Sequence, residues 1–450
     1  MSESIMKDKV KNFFKILCQT EWNATVAGVI VALLSILIMA WWRPWGAVGA
    51  IRNWGEWILY GVGIFDHKPG EILFNSGSVI GIGFLAGAFI SACLGNDFSF
   101  KFPPPWELVK AIIAGILMGI GSAFAGGCNV GGMYNAIGNL AANGFTMWLG
   151  LIIGVVLGLK YIYWEMEHVT WGTTGGKNFD FPYGLKILMG IVAFAAVIWG
   201  AYNYAGMTDD NYAASLSGIL LISAGLGYTM QRGRWCMVQA FREPHMTGDC
   251  TLAKSVALSI LVLAVGCAVL KYAVPQRGSA VAVQSVLMDA VDELDPDEIQ
   301  DEDLADAVEE VVDASGEAVV AARRVLDPVN YVRGTFGWGG VLGGFLFGLG
   351  AMFAGGCGSG TLWRVGEGQM KLWLVVPFFG ISNALMTKWF KAIHMEGTGA
   401  THVGSKLGIH LYLPDALGYG GTILLIVLAM AAWYIIVDWN EDSNKLIVEM

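Results

Sequence analysis

Charge is scarce in this sequence. Asp, Glu, Lys and Arg make up 14% of its 450 residues, where soluble domains carry about 25%. With 55% hydrophobic residues, that shortage argues against the two or three soluble domains a chain of this length would otherwise form. Cysteine is present, but the seven form no C-x-x-C pair, so zinc and dithiol redox motifs are not supported. The six His are scattered near loops, none with metal-ligand spacing. Basic residues are missing altogether from 289–317, which hold 14 Asp or Glu. Without them the chain has 37 − 14 = 23 acids against 27 bases, so its net charge of −10 becomes +4.

What is there instead is apolar length, glycine and tryptophan. The 61 Gly suit close packing of helices in a bilayer, and the 18 Trp suit its headgroup levels. Spanning helices need about 20 mostly apolar residues. Runs of that kind cover 22–40, 46–64, 76–94, 107–125, 145–164, 184–206, 213–230, 251–274, 334–354, 371–391 and 417–438; the weakest, 46–64, contains Arg52 and Glu56. The expected fold is an all-α polytopic membrane protein of about 9–11 spans. Lys7, Lys9, Lys11 and Lys15 precede the first run without a small-residue cleavage site after it, so the first helix reads as retained with a cytoplasmic N-terminus.

The chain then divides into a cytoplasmic N-terminus (1–21), a first membrane part (22–274), an acidic extramembrane insertion (275–332), a second membrane part (333–438) and a tail (439–450). The insertion carries Leu304, Val308, Val311 and Val312 at the spacing of a short amphipathic helix. It lacks the central Gly of an EF-hand loop. A solvated segment without chemistry is the reading favoured, with a partner-docking element as the other.

The chain also repeats itself. Residues 119–131 read GIGSAFAGGCNVG and residues 348–360 read GLGAMFAGGCGSG, identical at eight of thirteen positions with an offset of 229. A looser copy, GYTMQRGRWC, fills 227–236, with Gly nine residues before its Cys as in the other two. Cys93 ends a span in a degenerate fourth copy. Five expected spans separate Cys128 from Cys357, and an odd number gives the two loops opposite orientations, the inverted-repeat plan of many transporters. Gly126, Gly127, Gly355 and Gly356 permit backbone that leaves the helix. Such backbone is tolerated at membrane depth only where protein or a water-filled cavity surrounds it. Re-entrant Gly-Cys loops would present helix N-termini to an anion, and Cys128, Cys236 and Cys357 would add soft, polarizable sulfur.

Gly and Cys also pack helices in membranes, and a single GGC would be read that way. Two copies of FAGGC favour function, because packing does not demand Cys twice. Arg232, Arg234 and Arg242 surround Cys236; they are either ordinary topology-setting charges or a positive vestibule that attracts anions. Arg364 stands seven residues after Cys357 with Glu367 nearby, where the two would pair or line a mouth. Cys18, Cys250 and Cys267 read as packing.

The blocks FAGGCNVG, QRGRWCMVQAFRE and FAGGCGSGTLWRVGEGQMKLW resemble the hallmark loops of the YeeE/YedE sulfur-transport family, over about residues 75–390 without the insertion. The longer N-terminal region is most similar to the YedE branch linked with selenium metabolism. The resemblance implies an hourglass-shaped inner-membrane permease for thiosulfate or a related small sulfur- or selenium-containing anion. It implies passage along Cys128, Cys236 and Cys357 by hydrogen bonds involving sulfur, and a TusA/SirA-like sulfur-carrier protein as a partner. No such carrier domain is present in the chain. Neither a catalytic residue, a cofactor, a metal nor a nucleic-acid partner is expected. With no ATP-binding loop in the sequence, transport would be channel-like or driven by an existing gradient. The rival readings are a membrane sulfurtransferase forming a persulfide on Cys236 or Cys357, and a partner-anchoring membrane protein.

Overall fold

The computed structural model describes residues 2–207, 211–277, 334–395 and 405–448. About three quarters of them are helical. The acidic core of the insertion, 289–317, lies outside the described residues, as do its expected helix and docking role.

The first half of the chain runs from α1 (Ser2–Phe14) through a π-helical turn, Lys15–Gln19, into α2 (Ala24–Trp41), α3 (Ala47–Gly61) and α4 (Ser76–Leu94). Then come the short strand β1 (Ser99–Phe102), α5 (Pro105–Phe124), a second π-helical turn at Asn129–Tyr134, the short α6 (Asn135–Gly138) and α7 (Asn143–His168). After β2 (Lys177–Asp180), which pairs antiparallel with β1, follow α8 (Tyr183–Ala205), α9 (Asn211–Arg232), α10 (Met237–Met246) and α11 (Thr251–Arg277). The last part holds α12 (Trp338–Ala354), α13 (Gly358–Gly366), α14 (Met370–Ala392) and α15 (Leu413–Ser443).

Among the described residues, ten helices are long and apolar enough to cross a membrane. The chain is therefore a multi-pass membrane protein. The expected span at 46–64 is a helix, but α3 has only 15 residues, short of the ~20 a bilayer requires. Its Arg52 and Glu56 pair with each other one turn apart, at 3.4 Å. Gly55 of α3 lies against Gly380 of α14, so two glycines let the short helix lie close to a long one.

Glycine contacts also give the helix directions. From Gly343 to Gly350, α12 advances past α5 from Ala125 and Gly121 back to Met118 and Ala114, so these two helices are antiparallel. Gly340, Gly344 and Gly348 of α12 meet Thr146, Met147 and Leu151 of α7 in rising order, so those two are parallel. The helices leading into the two FAGGC loops therefore run in opposite directions, as an inverted repeat requires. By the same reading α4 and α9 are parallel, with Gly83 beside Leu220 and Gly95 beside Arg232.

Candidate functional site

Four helices end in one local device. In α5, α9 and α4 the residue after the last turn takes the left-handed conformation: Gly126 (φ 71°), Arg234 (φ 50°) and Asn96 (φ 67°). Gly355 does so after α12 (φ 81°). The next N–H then reaches back five residues. Gly127 donates to the Ser122 carbonyl (2.9 Å), Trp235 to Met230 (3.0 Å), Asp97 to Ala92 (2.8 Å) and Gly356 to Ala351 (3.1 Å). That bond satisfies a helix-end carbonyl and reverses the chain in the manner of a Schellman cap. Glycine fills the strained position in both FAGGC copies because it meets no Cβ penalty there.

The residue one further on is the chemical one. It is Cys128, Cys236 and Cys357 in three of the arms and Phe98 in the fourth. Each cysteine has extended backbone and caps the next helical segment: Asn129–Tyr134, α10 and α13 respectively. Cys357 does so with its own sulfur, which accepts from the Gly360 N–H at 3.2 Å. All three thiols are buried, at 1, 1 and 0% exposure, whereas the left-handed residues two positions earlier reach solvent. The loops thus put their tips outward and their sulfurs inward.

The three sulfurs converge from separate parts of the chain. Cys236 and Cys357 stand with their Sγ atoms 3.6 Å apart. Cys357 Sγ also lies 3.4 Å from the Ser359 hydroxyl. Cys128 packs against Gly358, the residue next to Cys357; a Cβ there would lie 3.0 Å from Cys128 Cβ and 3.2 Å from its Sγ. Gly360 of α13 leaves room for the thiol pair against the helix backbone: a Cβ there would lie 2.8 Å from Cys236 Sγ and 3.1 Å from Cys357 Sγ. Among the described residues, the buried side chains of Asn129, Thr361 and Trp363 on these capped segments have no hydrogen-bond partner for the carboxamide, the hydroxyl and the indole N–H. Leaving such a group unpaired costs about 1–3 kcal/mol.

The arginines fall into two groups. Arg364 Nη1 lies 3.8 Å from Cys236 Sγ, and its guanidinium stacks on Trp363 at 4.3 Å. Gly356 makes room for it, since a Cβ there would lie 2.6 Å from Nη1. Among the described residues, no carboxylate pairs with Arg364. Arg232 and Arg234 are instead engaged by acids: Arg232 pairs with Asp97, and Arg234 with Asp97 (3.4 Å) and with Glu367. Glu367, 0% exposed, also accepts from Gln231 at 2.8 Å. The acid beside Arg364 in sequence is thus taken by Arg234. Arg242 lies 4.0 Å from Glu243.

Sequence reading missed Asp97, which sits in the fourth arm at the position of Gly127, Trp235 and Gly356. Its signal was the turn pair Asn96-Asp97 after a Gly that ends a span. It also missed Gly360 and Lys371. The Lys371 ammonium donates to the Phe353 carbonyl at 2.6 Å and to Glu107 at 2.5 Å, and so holds the end of α12 just before the second loop. The other cysteines are buried and unbridged.

The sequence matches the model of a family described as Sulphur transport at residues 2–157 and 311–449, more than half of the chain. It is 23% identical over 417 residues to the protein named Probable transporter YedE of Escherichia coli (strain K12), covering 88% of this chain and 87% of that one. It is 26% identical over 239 residues to the Thiosulfate transporter TsuA of the same organism, covering 52% and 51% of the two chains. To the Thiosulfate transporter TsuA of Spirochaeta thermophila it is 35% identical over 107 residues, 19% of this chain and 30% of the relative. These likenesses, on a multi-pass helical bundle with three converging cysteine loops, mean that the chain belongs to the sulphur transport family.

Proposed function

We propose that this protein passes thiosulfate, or a related small sulfur- or selenium-containing anion, across the inner membrane along Cys128, Cys236 and Cys357. The observation that carries this reading is the contact at 3.6 Å between Cys236 and Cys357, from two different arms, with an arginine 3.8 Å away that no acid among the described residues neutralises. A structural thiol pair would not need that cation. A unit anion about 4 Å from a guanidinium gains about 4 kcal/mol at an effective dielectric near 20, which offsets part of the cost of leaving water.

The chemistry divides between hard and soft ends. The oxygens of the anion are suited to Arg364 and to the donors of Asn129 and Thr361. Its terminal sulfur is suited to the thiols, which are polarizable and weak donors. Weak contacts in series serve conduction, since each site must also release the solute. Arg232 and Arg234, already paired with Asp97 and Glu367, fix the loops in this reading, and Arg364 meets the anion. A TusA/SirA-like carrier is the expected acceptor on the cytoplasmic side, where the lysines ahead of the first span lead us to expect the N-terminus as well.

The test is uptake by purified protein in liposomes, with thiosulfate, sulfite, sulfate and selenite in competition. Preferential competition by thiosulfate, which alone of the four carries a terminal sulfur, supports the reading, and equal competition by sulfate contradicts it. Mass spectrometry of the same protein after incubation with thiosulfate is expected to find no stable added sulfur. A persulfide on Cys236 or Cys357 would instead favour a sulfurtransferase.

A further inference from the structure

Helix α1 stands apart from the bundle and runs directly into the π-helical turn that follows it. Met6, Val10 and Phe13 recur at intervals of four and three residues, so they share one face of the helix. They are 63, 61 and 65% exposed, and Ile16 and Leu17 continue the apolar surface at 56 and 40%. An apolar stripe of that size on so short a helix is not stable facing water. The same stretch carries Lys7, Lys9, Lys11 and Lys15 against Glu3 and Asp8, an excess of two positive charges.

The anchoring of this segment sets its depth. Leu17 accepts from the Tyr228 hydroxyl (3.0 Å), Ile16 from the Trp22 indole (3.1 Å) and Cys18 from the Arg232 guanidinium. Gln19 donates to the Tyr183 hydroxyl at 2.7 Å. Tyr183 begins α8, Arg232 ends α9, and Trp22 lies just ahead of α2. The turn is thus tied to three span ends by aromatic side chains of the kind that sit at headgroup level. A helix leaving that level with one apolar face and several lysines meets the bilayer surface, where lysine stems reach out to the headgroups.

We propose that α1 lies in the plane of the membrane surface and binds anionic lipid headgroups, with Met6, Val10 and Phe13 among the acyl chains. This assignment is independent of what the protein transports. The experiment is hydrogen exchange of the α1 amides in the full chain, reconstituted in nanodiscs of phosphatidylcholine alone or mixed with phosphatidylglycerol. Exchange is expected to slow in the anionic discs, with each lysine worth about fivefold in the bound-to-free ratio. Replacing the four lysines (Lys7→Gln, Lys9→Gln, Lys11→Gln and Lys15→Gln) should remove the difference between the two lipids. Val10→Glu with Phe13→Glu should speed α1 exchange in both, while the spans stay protected. Equal α1 exchange in the two lipids for the wild type would overturn the anionic-lipid assignment. Slow exchange that survives Val10→Glu with Phe13→Glu would mean that a second copy or another protein covers the helix.

Discussion

Gly360→Ala adds one methyl group at the thiol pair. Its Cβ would lie 2.8 Å from Cys236 Sγ, 3.1 Å from Cys357 Sγ and 3.2 Å from Arg364 Nη1, where apolar atoms rest at about 3.5–4.0 Å. The overlap with Cys236 is therefore about 1 Å. Cysteine has a single side-chain torsion with which to retreat, so the two sulfurs must part. Overpacking of this kind costs about 1–3 kcal/mol. Alanine recovers roughly 0.5–1 kcal/mol of it by suiting the helix better than glycine, so α13 should still form. If solute passes the pair, a barrier raised by about 1–3 kcal/mol slows uptake about 5- to 150-fold. The control is Gly131→Ala, where nothing lies within 4 Å of the added Cβ and uptake should stay within about twofold of wild type on the same scale. The assay is initial thiosulfate uptake into proteoliposomes, normalised to folded protein by its thermal transition. Wild-type uptake in Gly360→Ala, with a normal transition, would refute the reasoning. So would equal losses in the two variants.

Two further outcomes follow from the same geometry. Arg234→Gln leaves Glu367 buried without its cation, and such losses cost about 3–5 kcal/mol. Its main effect should be a lowered thermal transition, restored by Glu367→Gln in the same chain; intact stability with salt-dependent loss of uptake would instead make Arg234 an anion contact. Replacing 285–322 with a short Gly/Ser linker should preserve uptake, because the segment is acidic and solvated by composition; loss of uptake at normal membrane levels would place it in the mechanism.

Composition made the membrane class legible, and hydropathy placed ten of the eleven expected spans. It misjudged α3 because a window of apolar residues does not record where a helix stops: the Gly55–Gly380 contact holds a short helix in place, and its Arg52 and Glu56 pair with each other. The inverted arrangement was readable from an odd number of spans between two copies of one motif. The fourth copy was read at Cys93, but that cysteine lies inside α4 and the position matching the other three cysteines is Phe98. Its helix-ending hydrogen bonds survive at Asn96 and Asp97, but they are backbone bonds, and the side chain that would have marked the copy is Phe98 instead of cysteine. Charge partners were the least legible part. Arg234 and Glu367 are 133 residues apart in sequence, so only the packing of α9 against α13 assigns that acid to Arg234 and leaves Arg364 to the thiols.

The central claim is that the anion meets the cysteines in series, and serine substitution tests it most directly. Serine keeps the shape of cysteine but is harder and less polarizable. Uptake and folded protein would be measured together for Cys128→Ser, Cys357→Ser and the pair. A serial path predicts that either single change stops most uptake while the protein still folds, and that the double variant loses little more. Near-normal uptake in either single variant would contradict it and leave the FAGGC loops as packing.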